Sequence, residues 1–95
     1  EIGVSYGSDI EVVKRELLAV TREDERVLKD KDVTVGIMTF ADSSINFVVR
    51  PWVRTADFWP VRFALMEAIK KRFDETGIEI PFPQMDVHVQ KLPKE

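Results

Sequence analysis

Hydrophobic and polar positions along this chain change period repeatedly, and each change marks an element. Glu1 to Tyr6 places Ile2, Val4 and Tyr6 on alternate positions, the period of a half-buried strand, until Gly7 breaks it. Ser8 followed by Glu11 three residues later forms a capping-box pattern that opens a helix. That helix carries Ile10, Val13, Leu17, Leu18 and Val20 at helical spacing, and Glu11 should pair with Arg15 on its wet side. Val33 to Ala41 alternates again, with Val33, Val35 and Ile37 on one face. Asp42-Ser43 supplies turn chemistry, and Ile45 to Val53 forms the next strand, with Ile45, Phe47 and Val49 toward the core. So short a connection predicts a hairpin. Pro51 has no N–H to give a ladder, which places it at a strand end or bulge.

A second helix follows. Asp57 stands where its cap is expected, and Pro60 falls in the first turn, where a missing donor costs little. Val61, Leu65, Ile69 and Phe73 form its buried stripe, widened by Ala64, Met66 and Ala68. Glu67 and Lys71 pair outside, and Gly77 is the left-handed stop. Met85, Val87 and Val89 then alternate with Asp86, His88 and Gln90 as a final strand. The order β-α-β-β-α-β predicts an α+β, ferredoxin-like domain in which two helices cover one face of a four-stranded sheet. Residues 1–95 read as a single α/β domain. A start at Glu1, with no initiator Met, suggests a fragment or processed product of a larger protein.

Charge narrows the partners. The 14 Lys and Arg against 17 Asp and Glu leave a net charge of −3, which weighs against a nucleic-acid partner. The RNA-recognition fold shares this topology and stacks bases on aromatics of its third strand. Here Phe47 and Trp52 differ by five positions and point to opposite faces, flanked only by Arg50 and Arg54. With no cysteine, disulfides and thiolate metal sites are excluded. No apolar run approaches the ~20 residues needed to span a bilayer. The charged run Arg22 to Asp32 would serve as an electrostatic contact surface, but its mixed signs favour a solvated helix end and loop with Val27 and Leu28 tucked inward.

Little in the sequence calls for catalysis. Asp86 and His88 share a strand face, yet two ligands without a third make a poor metal or acid–base site, and a surface or interface hydrogen bond fits better. No glycine-rich phosphate loop exists, and Ser43-Ser44 has no base nearby. The expectation is therefore no enzyme, no metal and no cofactor. The remaining signal is aromatic: Trp52, Phe58, Trp59, Phe63 and Phe82. With Leu65 and Ile69 facing inward, part of Trp59 and Phe63 falls on a different flank of the helix. Pro81 and Pro83 impose a rigid extended segment around Phe82. Trp52, Phe58, Trp59, Pro81, Phe82 and Pro83 are accordingly the candidate subunit interface or structural motif. Whether Phe82 faces its own core or a neighbour stays open.

At these residues the chain resembles a known family. The run Gly77 to Val89 is similar to the signature near the C-terminus of the small-conductance mechanosensitive channels (MscS-type), with Ile80 to Gln84 its most specific part. Ser43-Ser44-Ile45-Asn46-Phe47-Val48-Val49-Arg50 resembles that family's preceding block. Tyr6-Gly7-Ser8-Asp9-Ile10, Arg50-Pro51-Trp52-Val53 and Asp57-Phe58-Trp59 follow in the family's order, so the resemblance covers essentially all 95 residues.

The resemblance implies the C-terminal α/β part of the cytoplasmic domain of an inner-membrane protein. In that family seven identical subunits build a hollow vestibule with side portals, beneath a pore that membrane tension opens to relieve osmotic downshock. Membrane helices and a middle β-domain would lie upstream, so this part would contact the membrane only through them and would neither sense tension nor gate. Members commonly continue past the last strand into a short tail that forms a small axial barrel. Ending at Lys94-Glu95, this chain would have that tail short or cut. The rival expectation is a stand-alone ferredoxin-like module binding a small ligand or a protein.

Overall fold

The computed structural model describes residues 1–81. Three strands and two helices follow in the order β1 (Ile2–Val4), α1 (Ile10–Arg22), β2 (Thr34–Phe40), β3 (Ile45–Arg50) and α2 (Phe58–Thr76), with a 3₁₀ turn at Thr55–Asp57 leading into α2. Both pairings are antiparallel and the sheet order is β1-β3-β2. The result is an α+β fold with a three-stranded sheet among the described residues. The expected final strand, Met85 to Val89, lies outside them, as do Asp86 and His88.

Register explains which side of the sheet is dry. Ile2 pairs with Phe47 and Val4 with Ile45, so four apolar residues of β1 and β3 fall on one face, all of them buried. Gly3 lies opposite Asn46, and a Cβ there would stand 3.0 Å from Asn46 Oδ1 and 3.1 Å from Ser44 Oγ. Those two polar groups share a 2.6 Å hydrogen bond, so the close approach of β1 needs glycine. Along β2 the ladder shifts between Ile37 and Thr39, leaving Met38 as an extra residue. Val35 and Ile37, before the shift, pack against the core. Phe40, beyond it, is exposed.

The strands are shorter than the alternation predicts. Tyr6 falls in the turn after β1, half exposed, its phenol donating to the Ala41 carbonyl oxygen on the β2–β3 connection. β3 stops at Arg50 because Pro51 cannot donate. Val53 then bridges Val27, and the Leu28 N–H donates to the Trp52 carbonyl at 2.8 Å. This contact buries Val27 and anchors the charged connector. Within it Asp24 accepts from the Arg26 backbone and guanidinium, and Lys29 Nζ donates to the Arg22 and Asp24 carbonyls. The run is a hydrogen-bonded, solvated loop with an apolar foot.

Both helices show where pattern and geometry part. Asp9, not Ser8, caps α1: its extended backbone (φ −79°, ψ 118°) lets its carboxylate accept from the N–H groups of Glu11 at 2.9 Å and Val12 at 3.3 Å. The expected Glu11–Arg15 pair is replaced by Arg15 with Glu16, at 3.7 Å. Asp57 precedes α2 but makes no side-chain cap bond, since its backbone (φ −97°, ψ 0°) already continues the 3₁₀ turn. Glu67 and Lys71 do pair, at 3.1 Å, and Gly77 ends the helix at φ 79°.

Among the described residues two hydrophobic clusters result. The larger joins Ile2, Val4, Val13, Leu17, Val20, Ile45 and Phe47 to Ile69, Phe73 and Ile78. The smaller joins Val27 to Val61 and Leu65, with Val33 and Val53 packed beside them. One stripe on α2, repeating every four residues, therefore serves both cores. Arg72 ties α2 to α1 by donating to Glu16 at 2.9 Å and to Glu23. Those two carboxylates hold its guanidinium pKa above the ordinary value.

Candidate functional site

Successive helical residues turn by about 100°, so Trp59 and Val61 lie on opposite sides of α2. Val61, Leu65, Ile69 and Phe73 take the inner side and are buried. Trp59 and Phe63, four apart, are left outside at 59% and 66% exposure, with Phe58 at 49% beside them. Their rings nonetheless touch one another. Phe58 and Trp59 meet edge to face, 5.0 Å between centroids at 89°, and Trp59 and Phe63 lie 5.9 Å apart at 35°. Met66, expected to widen the buried stripe, is also on the outer flank at 47% exposure. The correction has a simple cause: the sheet lies under only one side of a helix that is apolar on two.

Trp52 completes the surface from the segment after β3. Its ring is 58% exposed, with Lys31 Nζ 5.6 Å from the centroid, within cation–π range. Trp52 and Phe58 also wall a groove of about 770 Å³ between α2 and the sheet. Pro81, half-buried, does not line that groove, so the structure brings together Trp52, Phe58 and Trp59 but not Pro81. Phe82 and Pro83 lie outside the described residues. Met66 is the member that sequence reasoning assigned to the core instead, and Phe63, placed by that reasoning on the outer flank with Trp59, joins the candidate residues here. The signal that finds Met66 is the same offset from the Val61–Phe73 stripe.

This face is apolar and contiguous along one helix, its rings in contact from Phe58 to Phe63, the arrangement of a contact surface. The ion pair just before α2 is weak, Arg54 Nε standing 4.0 Å from Asp57.

Comparison with known proteins identifies the family. The family described as "Mechanosensitive ion channel MscS, C-terminal" matches residues 1–80. A small-conductance mechanosensitive channel of Edwardsiella ictaluri is 50% identical over 93 residues, 98% of this chain and 32% of the relative. Another, from Helicobacter pylori, is 39% identical over 89 residues, 93% of this chain and 32% of the relative. The crystal structure of Helicobacter pylori MscS in its closed state superposes with a TM-score of 0.81 at 38% identity, covering 95% of this chain and 36% of that one. The chain thus spans about a third of the length of the relatives it matches.

Proposed function

Because the chain belongs to the MscS family of mechanosensitive ion channels and carries its C-terminal domain, we propose that it forms part of the wall of a channel's cytoplasmic vestibule. In this reading the whole protein is a heptamer of identical subunits in the inner membrane, and this domain sits on the cytoplasmic side. The channel opens under tension to release solutes on osmotic downshock, and charges on the vestibule's inner surface bias which solutes approach the pore. The domain performs no catalysis. Among the described residues no helix is long and apolar enough to cross a membrane. Residues 1–95 act as one structural domain, with the membrane-spanning and β-rich parts upstream.

The observation that carries the proposal is the aromatic face of Trp52, Phe58, Trp59 and Phe63, 49–66% exposed on a chain of this family. A subunit contact is the use that explains why those rings are left uncovered by their own domain. The coding sequence upstream of Glu1 tests the channel reading: stretches of ~20 apolar residues are expected there. A wholly polar upstream sequence sinks it and favours a stand-alone binding module. The interface is tested separately in the protein expressed with those upstream parts. Trp59→Asp with Phe63→Asp should shift the detergent-solubilised assembly toward smaller species on light scattering. An unchanged oligomer would refute the contact.

A further inference from the structure

The groove beside Trp52 has a composition that subunit contact leaves unexplained. Its floor and walls are Ile2 and Val49 of the sheet, Leu65 and Ile69 of α2, and the rings of Trp52 and Phe58. It opens where the α2 stripe passes from the small core to the large one, so neither cluster fills it. At about 770 Å³ it falls within the ordinary range of small-molecule sites. Among the described residues three charged side chains line it: Arg50, Arg62 and Glu1. Both arginines are exposed and, like Arg22, make no ion pair among the described residues, whereas Arg15, Arg26, Arg54 and Arg72 do. A net positive lining on a chain of net charge −3 is a local reversal of sign.

An apolar trough with unpaired guanidinium groups beside it is complementary to a molecule that is apolar along its length and anionic at one end. We infer that the groove binds a single-chain anionic amphiphile, its alkyl part on Val49, Leu65 and Ile69 and its carboxylate or phosphate head against Arg50 and Arg62. Guanidinium suits such a head because its planar fork donates two parallel hydrogen bonds to carboxylate or phosphate oxygens. Trp52 on the wall gives a built-in reporter. This inference is independent of the channel reading, since it rests on the groove alone.

The test uses the 95-residue chain with Trp59→Phe, which leaves Trp52 as the single indole. Decanoate, decyl phosphate, decanol and decyltrimethylammonium are titrated below their micellar concentrations while Trp52 fluorescence is followed. Both anions should give a saturable change, with decanol and the ammonium compound at least about tenfold weaker, the scale of one charge-assisted hydrogen bond. Carboxylate and phosphate heads are thereby compared directly. Arg50→Gln with Arg62→Gln should abolish that discrimination. Because both arginines are on the surface, far-UV circular dichroism should show the variant folded. Equal affinity for decanol and decanoate overturns the proposal, as does discrimination that survives the double substitution. The absence of any saturable change overturns it too.

Discussion

Phe73→Ala measures how far the domain depends on the inner stripe of α2. The Phe73 ring is wholly buried and joins the helix to Leu17, Phe47 and Ile78 in the larger core. A buried aromatic removes about 150–250 Å² from water, which at ~25 cal/mol per Å² is roughly 4–6 kcal/mol for the whole side chain. Alanine keeps a small part of that, and relaxation around the cavity recovers some more, so the expected loss is ~3–5 kcal/mol. A domain of this size has only about 5–14 kcal/mol in total. In urea, with a slope of about 1–3 kcal/mol per M, the midpoint should fall by ~2 M. Phe63→Ala is the matched control: the same atoms leave the same helix, but from a ring that is 66% exposed. Its cost should stay near ~0.5 kcal/mol. Equal midpoint shifts for the two variants would refute the two-sided description of α2, as would a Phe73→Ala loss below ~1 kcal/mol.

Other consequences are narrower. Gly77→Ala adds a Cβ that meets nothing within 4 Å, so its cost comes from the left-handed backbone alone and should be ~1–2 kcal/mol in thermal or urea melts; no loss would mean that the helix ends differently. Asp24 should titrate below the usual carboxylate range by NMR, chiefly because the Arg26 side chain donates to it. Its folded pKa is depressed, so the stability it contributes is present above the unfolded value and is lost as pH falls through the folded one. Asp24→Asn should therefore flatten the acid limb of the stability curve, and an Asp24 midpoint at or above the free value would contradict the pairing. The 95-residue chain should scatter light as a monomer or weak associate at micromolar concentration, and a stable heptamer would refute that.

Much of the fold was legible because it repeats. Val61, Leu65, Ile69 and Phe73 recur every four residues and cannot all face water, and Gly77 follows where a left-handed residue is needed. The β2–β3 hairpin was legible from two alternating runs and a two-residue turn signal. Other features depended on backbone angles that neighbouring residue types do not distinguish. Ser8 and Asp9 are both good caps, and the direction in which the chain leaves Gly7 decides between them. The bulge at Met38 carries no glycine or proline to announce it. Exposure of Met66 turns on how far the sheet extends beneath α2, which is tertiary information. The groove was illegible for the same reason, being the space left where α2 spans two separate clusters. The aromatic face was half legible: the residues were visible, but not which of them the core would claim.

On the proposed subunit contact, that face also bears on how the domain assembles. Four rings, each presenting about 150–250 Å² when free and left half to two-thirds exposed here, amount to an apolar patch on the order of 400 Å². That is as large as the biggest patch on an ordinary monomer, large enough to mark a contact. It is also about half of the ~800 Å² that each partner contributes to a stable interface. Association must first offset several kcal/mol of lost translational and rotational freedom, which a patch of this size meets poorly by itself. Raising the local concentration of copies changes the balance, because a second contact made within an existing assembly no longer carries that full cost. Aromatic contacts of this kind therefore fit a domain whose copies are gathered by other parts of the protein. In the proposed assembly the rings fix orientation between neighbours more than they supply the affinity that holds the neighbours together.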